Sequence, residues 1–167
     1  EIAEKQGKDP YDALFDLLAA ERCTVSMIDF IADEADIEAI LRAPFSGVIS
    51  DATYPDGLAH PRVYGAFPRL LERYVRERGV LTLPEAVRKL TRQPAERFRL
   101  AGKGRIEPGA DADLCLFDPA RVRETGTWQH PDQLSEGMDW VFVNGVPAVA
   151  EGVFTGRPGG RSLPYVL

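Results

Sequence analysis

The chain has 167 residues, about one domain's worth of sequence, and its 44% hydrophobic and 28% charged content is ordinary for a soluble globular protein. Its net charge of −6 and pI near 5.0 argue against nucleic acid as the main partner, because nucleic-acid binding requires a basic face. No apolar run is long enough to span a bilayer, so the sequence also predicts no membrane partner.

The two cysteines and the first residues indicate the setting of the chain. Cys23 and Cys115 lie far apart and do not have the close spacing of a metal site. Each stands among apolar residues, as buried free thiols do, and without a signal peptide they predict a reducing, cytoplasmic location. The chain opens at Glu1 without Met, inside a helical pattern that Gly7 would end, so we expect it to be a piece of a longer protein.

The first fifty residues predict the order helix, strand, helix, strand. Asp9-Pro10 opens a helix that ends near Glu21, and a short apolar strand follows from Thr24 to Phe30. A second helix begins at Asp33, and Val48 to Ser50 forms the next strand. Strands that alternate with helices predict an α/β fold with a parallel sheet. Because two parallel strands cannot form a finished core, further strands are expected in the longer protein.

Helical patterns also fill the middle of the chain. The longest runs from Val63 to Arg78 and contains Pro68. Because proline lacks the amide proton that an inner helical turn needs, we expect this helix to start at or just before Pro68. Thr82 and Glu85 have the spacing of a capping box at the start of another helix, which Gln93-Pro94 would end.

The last third changes character and predicts a small β domain. Asn144-Gly145 is a strong signal for a type I′ hairpin, and Pro147 indicates a strand at the edge of a sheet. We therefore divide the chain into an α/β part, residues 1–100, and a small β part, residues 101–167. Short apolar runs predict the strands of the β part: Leu114–Phe117, Trp140–Val143 and Val146–Val149.

The stretch with the clearest chemical content follows the predicted strand that ends at Ser50. Asp51 comes directly after it, and a polar loop then carries Asp56, His60 and Arg62. The carboxyl ends of parallel strands are where α/β enzymes place their chemistry, so Asp51 is the leading catalytic candidate. An Asp after a strand is also a common turn former or helix cap. Catalysis is favoured because no helix follows Asp51 at once, and because His60 and Arg62 lie in the same loop.

Four stretches resemble the N-acyl-D-amino-acid deacylases, or D-aminoacylases, of the amidohydrolase superfamily. The pattern G-x-I-x-x-G-x-x-A-D-L alone is typical of the whole superfamily, whereas a pattern close to H-P-R-x-x-G-x-F-P-R is much more specific to the deacylases. Together the four stretches place nearly the whole chain in the C-terminal third of such an enzyme. They are Ser50-Asp51, residues 60–69, residues 83–91 with Pro94-Ala95, and residues 104–119 with 141–145.

This resemblance implies a zinc-dependent hydrolase, built as a (β/α)₈ barrel with a small β-sandwich, that cleaves the amide of N-acyl-D-amino acids. The segment around Met27 would be the seventh barrel strand and Val48 to Ser50 the eighth. The resemblance makes Asp51 the group that takes a proton from the attacking water and passes it to the leaving nitrogen. Arg62 is a candidate for holding the α-carboxylate of the substrate, because guanidinium and carboxylate match bidentately; a structural salt bridge within the loop is its alternative role. His60 is a further substrate-binding candidate, although a His before Pro in a loop is more often structural.

The chain departs from the family pattern at two places. Residues 49–52 read Ile-Ser-Asp-Ala where the family often has Gly-Ser-Asp-Gly, and Tyr-Pro-Asp-Gly at 54–57 bears on substrate choice.

His60 and His130 are the only histidines, so no complete metal site is expected. The piece alone is therefore expected to bind no catalytic zinc, to be inactive, and to self-associate through exposed apolar edges. Trp128 and His130 are expected to make surface or sandwich contacts.

Two other functions are compatible with the same residues. Another amidohydrolase, such as a cyclic-amide hydrolase, would keep the role of Asp51 and change the substrate. A non-catalytic interaction module would use none of this chemistry and would be a stable folded monomer.

Overall fold

The computed structural model describes residues 1–25, 27, 29, 31–54 and 59–163. By contacts the chain divides into two compact units, Glu1–Asp33 and Glu34–Leu167. The described elements, in chain order, are α1 (Ile2–Gln6), α2 (Pro10–Ala20), α3 (Glu34–Arg42), α4 (Arg62–Arg69), a π-helix (Leu70–Glu77), α5 (Leu83–Leu90), α6 (Arg92–Arg97), β1 (Leu114–Phe117), β2 (Met138–Val143), β3 (Val146–Ala150) and β4 (Val153–Phe154).

The first unit contains α1 and α2, and both follow from local signals. Gly7 ends α1 in the left-handed conformation, with φ of 62°. The carboxylate of Asp9 accepts the Tyr11 amide at 2.9 Å, and Pro10 occupies the first helical position. Both predicted features of the α2 start are confirmed.

The helix of the second unit that contains Pro68 starts earlier than predicted, at Arg62. A proline at position 68 cannot donate to the carbonyl of Tyr64, four residues back. That carbonyl instead accepts the hydroxyl of Ser135 at 3.1 Å, so no backbone group is left unpaired. The chain then continues as a π-helix, a form that frequently marks functional sites, and buries Leu70 and Tyr74 in the core.

The two helices after the π-helix start from clear sequence signals. The Thr82 amide donates to Glu85 Oε2 at 2.8 Å and the Glu85 amide donates to Thr82 Oγ1 at 3.4 Å, which confirms the capping box. Beyond α5 the chain does not pass into a simple turn at Gln93-Pro94, as expected. It forms α6 with Pro94 in the first turn, where a helix tolerates the missing amide proton.

The C-terminal part forms one antiparallel sheet in the order β1-β2-β3-β4. Asn144 and Gly145 have φ of 48° and 76°, as a type I′ turn requires, which confirms the hairpin between β2 and β3. Within β3 only Val149 and Ala150 pair with β4. Because β3 lies between β2 and β4, the prediction of an edge strand is wrong, although Pro147 itself lies beyond the two residues that pair with β4.

The core of the second unit combines residues from both sides of Leu100. Val122 is fully buried among helix residues such as Leu41, Leu70 and Ala86. The Arg76 guanidinium donates to the Val122 carbonyl at 2.6 Å and so ties the π-helix to the segment after β1. The division into an α/β part and a β part remains a prediction about the complete protein.

The parallel strand predicted at Val48 to Ser50 is wrong for this structure. These residues are extended, but they belong to no ladder, and Ile49 is 76% exposed. A strand needs the backbone groups of a neighbouring strand, and an apolar run does not supply them. Of the strand predicted from Thr24 to Phe30, positions 26, 28 and 30 lie outside the described residues, and the described positions between them form no strand.

Candidate functional site

Asp51 and Arg62 form an ion pair, with Arg62 Nη2 3.0 Å from Asp51 Oδ2. The Asp51 side chain is 69% exposed, so its carboxylate is open to solvent and to a ligand. Its backbone has φ of 48°, a left-handed conformation that is uncommon for a residue other than glycine. Asp51 caps no helix, because the N-cap of α4 is Pro61. The predicted meeting of carboxylate and guanidinium is therefore present in the structure.

The guanidinium of Arg62 keeps a free donor beside this pair. Its Nε is buried and has no hydrogen-bond partner among the described residues. A buried donor without a partner is costly and rare, and the guanidinium group can serve two oxygens at once. The Arg62 side chain as a whole is 39% exposed, so the accessible part of its guanidinium can accept a further anion, such as a carboxylate.

His60 holds the backbone at the start of α4. Its Nδ1 accepts the Arg62 amide at 3.0 Å, which places the ring proton of the neutral imidazole on Nε2. Burial, and then the Arg62 charge, lower the pKa of His60 below its ordinary 6.5, while Glu124 partly offsets them. The indole of Trp128 meets the imidazole edge to face, with ring centroids 4.7 Å apart. His60 thus caps the helix as a neutral ring.

The lowered pKa of His60 makes stability depend on pH. The unfolded chain takes up a proton near pH 6.5, whereas the folded chain takes it up only at lower pH. The free energy of unfolding should therefore fall as the pH drops below 6.5 and be fully restored above it. Urea unfolding of wild type and of a His60→Asn variant, from pH 7.5 to 5, checks this.

The Asn variant can still accept the Arg62 amide and has no titrating group, so its stability should change less across this range. His130→Asn, at an exposed position, is the matched control and should follow the wild type. Removing the cap altogether with His60→Ala should cost about 1 kcal/mol at pH 7.5, as the loss of an N-cap does. If His60→Asn kept the full wild-type pH dependence, His60 would not be its source.

Two further residues of the H-P-R stretch, Gly65 and Arg69, lie against the side chain of Glu124. A Cβ at Gly65 would lie only 2.5 Å from Glu124 Oε1, so a side chain there would displace Glu124. Arg69 Nη1 binds Glu124 Oε2 at 3.0 Å. The backbone amide of Glu124 donates to Glu72 Oε2 at 2.8 Å. Gly65 and Arg69 are therefore needed where the 123–136 segment approaches α4.

The contacts of Glu124 with α4 and of Trp128 with His60 were not predicted from the sequence. Both lie in a segment that has no periodic pattern, and Trp128 was expected to make surface or sandwich contacts rather than to contact His60. One sequence signal pointed to them. A glycine within a helix costs about 1 kcal/mol, so Gly65 indicated a close approach by another part of the chain.

The sequence singled out three further polar or aromatic residues near or beyond this stretch. Asp56 lies outside the described residues, and Tyr54 and His130 are exposed. Across the described positions, no group of three or more His, Cys, Asp or Glu side chains could hold a metal. A surface cleft of about 730 Å³ is lined by residues such as the Arg123–Glu136 ion pair, and neither Asp51 nor Arg62 is among its lining residues.

One prediction about the cysteines is wrong. Cys23 and Cys115 are both exposed, so the expectation of buried thiols is wrong. Cys23 follows the end of α2 in a left-handed turn, and Cys115 lies on an open face of β1. None of the helices in the described ranges combines the length and the apolar composition needed to cross a bilayer.

Similarity to known proteins covers almost the whole chain. The D-aminoacylase of Alcaligenes xylosoxydans xylosoxydans is 41% identical over 163 residues, which are 98% of this chain and 33% of that protein. A crystal structure of D-aminoacylase superposes with a TM-score of 0.87 at 38% identity, over 97% of this chain and 33% of that one. The N-acyl-D-glutamate deacylase of Bordetella bronchiseptica, in complex with zinc and a phosphonate inhibitor, has a TM-score of 0.80 at 37% identity, with coverages of 94% and 31%.

These similarities confirm the resemblance to N-acyl-D-amino-acid deacylases and the mixed helix and sheet content. The chain spans about a third of the length of the relatives that it matches. A profile of the amidohydrolase family matches residues 2–149, which is most of the sequence. The chain therefore belongs to the amidohydrolase family.

Proposed function

We propose that this chain is the C-terminal part of a zinc-dependent enzyme that hydrolyses N-acyl-D-amino acids to a carboxylate and a free D-amino acid. The observation that carries the proposal is the Asp51–Arg62 pair at 3.0 Å, formed between two of the four stretches that resemble the deacylases. A carboxylate beside a guanidinium supplies the two functions that the reaction needs, a proton acceptor and an anchor for an anionic substrate.

Asp51 is proposed as the general base and then the general acid. Its carboxylate takes a proton from the water whose oxygen attacks the amide carbon. The resulting carboxyl group then gives that proton to the amide nitrogen as the C–N bond breaks, which returns Asp51 to its ionised form. The exposed position of the carboxylate fits a group that must meet both water and substrate.

Arg62 is proposed to bind the α-carboxylate of the substrate, and His60 to hold Arg62 in place. The Nη2 of Arg62 already binds Asp51, and the exposed part of the guanidinium is proposed to meet a second oxygen. One guanidinium can thus bring the substrate carboxylate close to the general base. Orientation of this kind is a main source of enzymatic rate.

Zinc is the proposed cofactor, because the Bordetella relative binds it. A protein-bound zinc ion can lower the pKa of water to about 7. The described residues do not provide three ligands, so the metal site must come from other parts of the complete protein. This chain alone is accordingly proposed to be inactive.

The complete protein is proposed to have a (β/α)₈ barrel, to which residues 1–100 contribute, and a β-sandwich, to which residues 101–167 contribute. Large apolar side chains on the surface of this chain, such as Phe45 at 87% exposure and Ile106 at 90%, support the proposal that the isolated chain self-associates. A cytoplasmic location is proposed from the two free thiols.

The test is hydrolysis of N-acetyl-D-amino acids by the complete protein. It should cleave the D-substrates and leave the L-enantiomers intact, lose activity when a chelator removes its zinc, and regain it when zinc is returned. This chain alone should cleave nothing. Cleavage of cyclic amides instead would make the protein a different amidohydrolase, and an inert, zinc-free complete protein would leave the interaction module as its function.

A further inference from the structure

We propose that Trp128 is a positioning residue for the Asp51–Arg62 pair, acting through the imidazole of His60. For its catalytic consequence the inference rests on the proposed function, and for its structural part it stands on contacts alone. Three steps connect Trp128 to the pair: the edge-to-face contact of Trp128 with His60 at 4.7 Å, the Arg62 amide on His60 Nδ1 at 3.0 Å, and the ion pair at 3.0 Å.

The segment that carries Trp128 is a closed loop rather than a free one. Arg123 and Glu136 exchange backbone hydrogen bonds of 3.2 and 3.1 Å at its base, and their side chains form an ion pair at 2.8 Å. At its tip the Thr127 amide donates to the His130 carbonyl, and the His130 amide donates to Thr127 Oγ1, both at 3.0 Å. Trp128 is therefore presented from a turn that is hydrogen-bonded on both sides.

Helix α4 is adapted to receive this loop along one side. Gly65 has no Cβ where Glu124 lies. The Tyr64 carbonyl, which Pro68 leaves without its usual partner, accepts the hydroxyl of Ser135. Neither feature favours a helix by itself, since an inner Gly and an inner Pro both weaken one. Docking of the loop explains both residues, because Gly65 leaves room for Glu124 and Ser135 pairs the carbonyl that Pro68 frees.

The loop docks on α4 through Glu124 and Ser135. Trp128 then lies against the imidazole of His60, which accepts the Arg62 amide at the start of α4. The indole contacts the imidazole at a steep interplanar angle of 73°, and the charges that act on the ring are Arg62 and Glu124. If the indole is lost, the imidazole can turn, and the Arg62 backbone loses a fixed acceptor. The guanidinium of Arg62 would then have a wider range of positions relative to Asp51.

The structural half of the test is an NMR titration of His60 in this chain, which has only two histidines. With the wild-type indole the pKa of His60 should lie below 6.5. In Trp128→Leu it should rise towards 6.5, because the ring becomes wetter, and in Trp128→Phe it should stay low, because an aromatic edge contact remains. Trp140→Leu is the matched control, since Trp140 stacks on Phe142 within the sheet.

The catalytic half uses the complete protein and its N-acetyl-D-amino acid substrates. Trp128→Leu should lower kcat/KM about 10-fold, mainly through a higher KM, since misplacing a binding group by a fraction of an ångström has effects of this order. Trp128→Phe should recover most of the loss. In an Arg62→Met background, Trp128→Leu should have almost no further effect, because a positioning residue acts only while the positioned group is present.

The two halves separate the possible failures. Equal behaviour of Trp128→Leu and Trp140→Leu in the titration would overturn the inference whatever the enzyme does. A full effect of Trp128→Leu in the Arg62→Met background would also overturn it, and would make Trp128 a general packing residue. A complete protein with no deacylase activity would refute the proposed function, while the titration would still decide whether Trp128 governs His60.

Discussion

Asp51→Asn in the complete protein is expected to lower kcat for N-acetyl-D-amino acids about 10³-fold, as the loss of a general acid–base group does. The amide of asparagine has nearly the same shape as the carboxylate, and its oxygen can still accept from Arg62 Nη2, now at 3.0 Å from Asp51. It cannot take the proton of water. KM should therefore change less than about twofold and the zinc content should not change, because the variant loses proton transfer but keeps the contact with Arg62.

The alternative role of Asp51 as a turn former has a matched control in this chain. Asp118 follows β1 and its Oδ1 accepts the Ala120 amide at 2.9 Å, which is a turn contact without a catalytic role. Asp118→Asn can keep that contact and should leave kcat within about twofold of wild type. If Asp51→Asn behaved like Asp118→Asn, Asp51 would be a turn residue. Kinetics with metal analysis of each purified variant distinguishes the two outcomes.

Structure that depends on neighbours in sequence could be predicted from the sequence. The Asp9 cap, the capping box at Thr82 and the Asn144-Gly145 hairpin each depend on contacts within about four residues, and each is present as predicted. The local residue types there leave the backbone few alternatives, because each one satisfies a donor or a φ angle that the element requires.

Structure that depends on distant partners could not be predicted in the same way. The start of α4 at Arg62 needs His60 as an unusual cap, and the inner Pro68 is tolerated because Ser135 pairs the freed carbonyl. The extended run at Val48 to Ser50 has the composition of a strand, yet composition supplies no neighbouring strand. In these cases the hydrogen-bond partner that determines the local structure is not part of any periodic sequence pattern.

The candidate site also combines residues that are neighbours in sequence with residues that are distant in sequence. Asp51, His60 and Arg62 were found together because one loop carries all three, and the structure places the carboxylate on the guanidinium. Their proposed roles remain predictions. Glu124 and Trp128 were missed because more than fifty positions separate them from the helix that they contact.

A second large effect is expected from Lys89, the buried charged residue of the described chain. Its side chain is 2% exposed, and its Nζ donates to the Ala43 carbonyl at 2.6 Å, the Ser46 carbonyl at 3.0 Å and Ser46 Oγ at 2.9 Å. These oxygens belong to the turn after α3, which leads directly into the segment that ends at Asp51. Lys89→Met keeps the apolar stem and removes this charged donor, while Ser46 Oγ still donates to the Ala43 carbonyl at 2.9 Å and Gln93 Nε2 to the Ser46 carbonyl at 2.7 Å.

Hydrogen bonds from a charged donor contribute about 1.5–3 kcal/mol, and Lys89 Nζ makes three of them with the turn. Lys89→Met should therefore lower the free energy of unfolding by about 3 kcal/mol in urea at pH 7. Arg88→Met, its exposed neighbour on α5, removes the same charge and only a 3.4 Å contact to the Pro44 carbonyl, so it should change stability by less than about 0.5 kcal/mol. Equal losses in the two variants would show that net charge, not the buried contacts, is responsible.

The pH dependence distinguishes the contacts of Lys89 from its charge. Burial lowers the pKa of Lys89 below 10.5, so between the folded value and 10.5 the unfolded chain binds the proton that the folded chain has released. The wild type should then gain stability relative to Lys89→Met as the pH rises towards 10.5, because the neutral amine still donates to the turn without the penalty of a buried charge. If the difference in free energy of unfolding between wild type and Lys89→Met decreased instead, the ammonium charge itself would hold the turn. The lysine would then be desolvated less than its burial indicates.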